Sequence, residues 1–156
     1  GGKSAITLDD TRWKNCFIKA ISLLPNILLN QQAKDAGANE AILIRDGHVT
    51  EGASSNIFMV KNNCVYTPPL SKNILGGITR SLMIELAKHN NIAIEEKNIT
   101  KDELLDADEI WVSSSIRELF PITTLNDKKV SDGNPGPIWS KMFDVFHDYT
   151  KNYHGE

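Results

Sequence analysis

Four short stretches hold residues whose types and spacing could do chemistry. Lys19 sits in Phe17-Ile18-Lys19-Ala20-Ile21, a nearly apolar run. There it reads either as a lysine whose stem lies along a strand end with its head in water, or as a desolvated amine suited to imine formation with an aldehyde. Glu51 opens Glu51-Gly52-Ala53-Ser54-Ser55-Asn56. A carboxylate followed by small residues lets the backbone approach a ligand closely, and a polar turn with an exposed glutamate looks the same. Gly76-Gly77-Ile78-Thr79-Arg80 places two glycines at a helix start. Unpaired N–H groups and the helix dipole favour an anion there, unless Thr79 simply caps the helix. Ser113-Ser114-Ser115 is a cluster of hydroxyl donors or a plain polar loop. No Gly-Lys-Ser/Thr follows the glycine pair, and no Gly-x-Ser-x-Gly elbow is present. His48, His89, His147 and His154 have no metal-ligand spacing with Cys16 or Cys64, so no metal is expected. Trp13, Trp111 and Trp139 read as core or interface aromatics.

Helices and strands must position these groups. A helix is expected from Ile21 to Ala36, with Leu24, Ile27 and Leu28 on one face, Ser22 as cap, Pro25 in the first turn and Gly37 as stop. Short strands follow at Glu40–Arg45, His48–Glu51, Asn56–Lys61 and Cys64–Thr67. Asp46-Gly47 and Asn62-Asn63 are their tight turns, and Pro68-Pro69 ends the run. A second helix spans Ile78–His89 and stops at Asn90-Asn91. A strand Ile92–Glu96, a short helix Lys101–Leu105 and a strand Glu109–Ser113 come next. Phe120–Leu125 and Lys128–Val130 then pair around Asn126-Asp127, and a last helix runs Ile138–Tyr153. Alternation of the two element types makes the class mixed α/β.

At 156 residues the chain can bury a single core without a disulfide or metal. Seventeen basic residues against 20 acidic ones, with no basic run, argue against a binder of nucleic-acid backbone. Both cysteines read as reduced thiols of a cytoplasmic protein, and no apolar run approaches the ~20 residues that span a bilayer.

Taken together the stretches occur in a known order. Arg12-Trp13, Ile18-Lys19-Ala20-Ile21-Ser22-Leu23-Leu24-Pro25-Asn26, Val49-Thr50-Glu51-Gly52-Ala53-Ser54-Ser55-Asn56-Ile57-Phe58, Leu75-Gly76-Gly77-Ile78-Thr79-Arg80 and Ser113-Ser114-Ser115 through Pro121 form that series. In this series the chain resembles the fold-type IV (class IV) pyridoxal-phosphate aminotransferases, most closely their D-amino acid type. The resemblance implies the pseudo-barrel α/β carboxyl-terminal domain of that fold. It makes Lys19 the lysine that links to the cofactor and shuttles the α-proton, and Glu51 the carboxylate at the pyridine nitrogen. Ile78, Thr79 and Ser115 become phosphate contacts, Leu75 the residue packed on the ring, and Arg12 the arginine near the phenolic oxygen. Branched-chain relatives place a tyrosine five residues after the lysine, where this chain has Leu24.

Members of that family are about twice as long. The resemblance therefore implies that residues 1–10 are an interdomain linker or a cloning remnant, and that 11–156 form the cofactor-binding domain without its amino-terminal partner. It also implies a homodimer for the intact enzyme, which would move an amino group from a D-amino acid such as D-alanine to a 2-oxo acid. The isolated domain is expected to be weak or inactive. Alternatives are aminodeoxychorismate lyase, branched-chain aminotransferase and a non-catalytic domain that keeps the fold.

Overall fold

Alternating apolar residues along successive strands build one curled sheet with a core on each face. The computed structural model describes residues 1–20 and 23–153. The elements are β1 (Lys3–Asp9), α1 (Leu24–Asp35), β2 (Glu40–Arg45), β3 (His48–Gly52), β4 (Asn56–Lys61), β5 (Cys64–Thr67), α2 (Ile78–His89), β6 (Ile94–Glu96), α3 (Lys101–Leu105), β7 (Glu109–Ser114), β8 (Glu118–Leu125), β9 (Lys128–Lys129) and α4 (Pro137–Tyr153). The strands run in the order β3-β2-β1-β8-β7-β4-β5-β6, with β9 on β8. Three hairpins turn on left-handed pairs: Asp46 and Gly47 at φ 52° and 77°, Asn62 and Asn63 at 50° and 61°, Asn126 and Asp127 at 49° and 62°. Two consecutive positive φ values match the right-handed twist of the flanking strands.

The segment expected as a linker is a strand. β1 pairs in parallel with β2, Ala5 opposite Glu40, and with β8, Ala5 opposite Leu125. It therefore lies in the interior of the sheet. Its parallel partners lie far along the chain, so no turn residue announces it.

Strand alternation sorts the side chains. Ile42 and Ile44, Ile57 and Met59, and Ile110 and Val112 face one cluster inside the curl, joined by Ile99 and Leu104. Phe58, Val60 and Trp111 face α2 and α4 on the outer side, with Met83, Ala87, Met142 and Phe146. The Phe58 and Trp111 rings stack 5.6 Å apart. Glu109 holds the start of α4, accepting from the N–H of Ile138 at 3.0 Å and of Trp139 at 2.7 Å. Arg80 anchors the first turn of α2, donating to the Pro68 carbonyl at 2.9 Å and to Glu96 at 2.6 Å.

Pro25 lies in the first turn of α1, and Gly37 follows its end at φ 76°. The expected start at Ile21 and the Ser22 cap lie outside the described residues. Only Leu29 and Ala33 of this helix are buried, against Ala41, Leu43 and Ala53. The apolar face of Leu24, Ile27 and Leu28 is 64%, 60% and 55% exposed, so it covers no core within this chain.

The short helix α3 depends on its cap. Thr100 Oγ1 accepts from the Glu103 N–H at 3.1 Å, and the Glu103 carboxylate accepts from the Thr100 N–H at 2.8 Å. Thr100→Ala leaves the Glu103 N–H without its partner and is expected to cost about 1 kcal/mol, read as a lower urea midpoint at unchanged slope. Among the described residues no helix is long and apolar enough to cross a membrane.

Candidate active site

The sheet curls so that the end of β3, the start of β4, the entry to α2 and the end of β7 surround a cavity of about 560 Å³. The irregular segment after β1 closes one side. Arg12, Lys19, Glu51, Leu75, Thr79 and Ser115 all line this cavity. Ile78 does not: its side chain is 84% exposed at the first position of α2, leaving only its backbone near the site.

Glu51 is 5% exposed and sits in a complete ring of donors. Arg12 Nη1 reaches its Oε1 at 2.5 Å, Asn56 Nδ2 reaches Oε2 at 3.2 Å, and the Leu75 N–H lies 3.3 and 3.2 Å from the two oxygens. Burial pushes the Glu51 carboxyl up to about 7, and the charge and hydrogen bond of Arg12 hold it from rising further. The alternative of an exposed glutamate in a polar turn is thereby excluded.

Arg12 is buried as well. Its Nε and Nη2 grip Asp10 at 2.9 Å each, and Nη2 also donates to the Asn73 carbonyl at 3.0 Å. With the bond to Glu51, four of its five N–H groups have acceptors in the protein. Burial works against its charge, but Asp10 and Glu51 keep it above the ordinary arginine range. Nothing local in the sequence announces this network, because Arg12 and Glu51 are brought together only by the sheet.

Another part of the cavity wall is built from N–H and O–H groups. Gly77 caps α2 with no side-chain hydrogen bond, so Thr79 is not serving as the cap. Thr79 is half-buried and lines the cavity. A Cβ on Gly77 would lie 2.6 Å from Asn56 Oδ1, so this close approach requires glycine. Across from it, Ser113 is 1% exposed and its Oγ has no hydrogen-bond partner among the described residues. Ser115 is exposed beside it.

Lys19 lies on the cavity wall and is exposed, with Phe17 and Ile18 about half exposed next to it. Of the two readings of Lys19, its exposure matches the stem along the chain with the head in water. Trp13, expected in a core or interface, is 48% exposed on the same wall, whereas Trp111 is buried in the outer cluster and Trp139 packs against it.

Sequence reasoning assigned no role to Asn56, Asp10 or Glu40. Asn56 bridges Glu51 and the Leu75 carbonyl, tying β4 to the entry of α2. Glu40 lies beneath the serine turn, accepting from Ser55 Oγ at 3.1 Å and the Ala41 N–H at 3.0 Å, and burial pushes its carboxyl up. Asn56 lay inside a run already singled out, and its position beside the small-residue turn was the available signal.

The arrangement gathers a buried carboxylate, an exposed amine and a set of N–H and O–H groups on one cavity. Known proteins point the same way. The family model for amino-transferase class IV matches residues 3–125. A D-alanine aminotransferase of Bacillus licheniformis is 49% identical over 137 residues, 88% of this chain and 48% of the relative. One from Listeria innocua is 41% identical over 145 residues, 93% of this chain and 50% of the relative. The chain thus spans about half the length of these relatives. A branched-chain amino acid aminotransferase of T.th., solved with pyridoxamine 5′-phosphate, matches with a TM-score of 0.85 at 27% identity, over 94% of this chain and 51% of that one. A match over most of the chain, together with an agreeing fold, places the chain among the class IV aminotransferases.

Proposed function

We propose that this chain is the cofactor-holding part of a pyridoxal 5′-phosphate enzyme that moves the amino group of a D-amino acid, such as D-alanine, to a 2-oxo acid. The observation that carries the reading is the convergence of Glu51, Lys19 and the uncapped start of α2 on one cavity. The names of the two similar D-alanine aminotransferases support the donor, and the branched-chain relative solved with pyridoxamine 5′-phosphate supports the cofactor. The residues present fit that cofactor: Ser113 Oγ is an orphaned buried donor lining the cavity, and the start of α2 beside it has no side-chain cap.

In this reading Glu51 would hold the ring nitrogen, Leu75 the ring, and Thr79, the Ile78 backbone and Ser115 the phosphate. When bound, the cofactor supplies an aldehyde for the amino group and a ring that takes up the electron pair left by the α-proton. Lys19 Nζ would hold that aldehyde and, as a free amine, would be the base that moves the substrate α-proton. We read the complete enzyme as a cytoplasmic homodimer acting on small amino acids and 2-oxo acids.

Incubation with pyridoxal phosphate, borohydride reduction and peptide mass spectrometry tests the reading. The expected adduct concentrates on Lys19 among the 13 lysines. Adduct scattered over the lysines, or none in either this chain or the complete protein, sinks it.

A further inference from the structure

Behind Glu51 lies a row of buried charges that alternate in sign. Asp10 follows β1 directly and has no solvent-exposed side-chain surface. It pairs with Arg45 at 3.1 Å and with Arg12 at 2.9 Å, and its Oδ2 also accepts from Thr50 Oγ1 at 2.8 Å. Arg45 in turn donates to the Arg12 carbonyl at 2.8 Å and to Asn73 Oδ1. The row therefore reads Arg45, Asp10, Arg12, Glu51. Of its two carboxylates, Glu51 alone lines the cavity.

A buried ion pair is weak evidence for stability, since apolar residues of the same volume would serve the core as well. This row has a direction instead. Asp10 takes Nε and Nη2 of Arg12 in a two-pronged grip, and that grip fixes where Nη1 points. Nη1 points at the carboxylate facing the cavity.

We propose that Asp10 and Arg12 are positioning residues for Glu51: Asp10 aligns the guanidinium, and the guanidinium orients the carboxylate and favours its charged form. What Glu51 then does for a ligand rests on the function proposed above; how its proton is held does not. The charged and titratable groups around Glu51 come from each neighbouring segment: Asp10 after β1, Arg12 and the Cys16 thiol from the segment that follows, and Arg45 of β2 behind Asp10. Lys19 lies on the same cavity wall. Asn56 and the Leu75 N–H complete the ring without charge. Arg12 is the one cation in direct contact with Glu51 among the described residues.

The two residues act on that proton in opposite senses. Removing the Arg12 charge leaves burial unopposed, and the carboxyl holds its proton to higher pH. Asp10→Asn deletes a repelling anion while its amide oxygen still accepts from the Arg12 fork, so the alignment is kept and the carboxyl ionises at lower pH.

The test is a carbon-13 NMR titration of glutamate side chains in the full chain without cofactor, with Glu51→Gln identifying the Glu51 signal. Arg12→Gln is expected to raise the midpoint by about one pH unit or more, a tenfold change in proton affinity. Asp10→Asn is expected to lower it, and Arg12→Lys, with charge but no fork, to fall between Arg12→Gln and the parent chain. A structural role alone lowers stability without moving the midpoint. Unmoved midpoints, or shifts of one sign for Arg12→Gln and Asp10→Asn, overturn the proposal. Should Arg12→Gln not fold, Asp10→Asn and Arg12→Lys carry the same comparison of signs. Cofactor affinity unchanged by Glu51→Gln would count against the proposed function and leave this titration result standing.

Discussion

Lys19→Ala is expected to reduce transamination by the complete protein by about 10³-fold or more. The proposed role combines two functions in one Nζ: it holds the aldehyde and it carries the α-proton. Loss of a positioned general base alone is worth about 10²–10⁴ in rate, and losing the covalent attachment adds to it. The measurement is kcat/KM with D-alanine and a 2-oxo acid, beside thermal unfolding. Stability should stay within about 0.5 kcal/mol, because Lys19 is exposed and makes no ion pair among the described residues. Lys19→Arg keeps the charge but not a deprotonatable amine, and should be as inactive. A Lys19→Ala enzyme that kept a tenth of the parent rate would remove Lys19 from the mechanism.

Glu51→Gln should separate stability from function. In the folded chain the Glu51 carboxyl is raised to about 7 from its ordinary value of 4.5, with burial the dominant cause. The folded state therefore binds a proton that the unfolded state has released between those two pH values. Stability from this group is fully present below pH 4.5 and is lost as pH rises to about 7; above that, Glu51 costs the fold on the order of 3 kcal/mol. Glutamine keeps the hydrogen bonds to Arg12 and the Leu75 N–H but has no proton to lose. Without cofactor, the variant should be more stable than the parent at pH 8 and about equal at pH 4. Chemical unfolding at the two pH values reads this directly. With cofactor, the same variant should lose most of its activity, because a neutral amide does not keep the ring nitrogen protonated. Equal stability differences at pH 4 and pH 8 would contradict the assignment of the titrating group.

The parts of this fold written in local chemistry were legible in the sequence. Asp46-Gly47, Asn62-Asn63 and Asn126-Asp127 tolerate left-handed backbone, so each hairpin announced itself. The limits of Ile78–His89 followed from the glycine pair before it and the asparagines after it, and the capping box of Lys101–Leu105 is a structural finding. β1 was hidden because parallel pairing leaves no turn signal, and the glycine pair before it has the composition of a linker. The periodicity of α1 told which residues share a face but not whether anything covers that face; Leu24, Ile27 and Leu28 lie on the solvent side. At the site, residue type pointed to Lys19, Glu51 and Thr79. It could not point to Asp10 or show that Arg12 spends its donors on Glu51, since those contacts join positions 10, 12 and 51 through the sheet.

The interior place of β1 also bears on the order in which this chain folds. Hairpins such as β2–β3 and β4–β5 close over two residues and can form early. β1 has to bring Ala5 beside Leu125, and the entropy of closing so large a loop must be met before any ladder bond rewards it. Asp10 and Arg12 follow directly on that strand. The Arg12–Glu51 contact is thus made only once β1 has docked, and a chain in which β1 had detached would keep its hairpins while its Glu51 stood without Arg12. In native-state hydrogen exchange, the Leu75 amide that bonds Glu51 should open together with the β1 ladder rather than with the hairpins nearer to it in sequence.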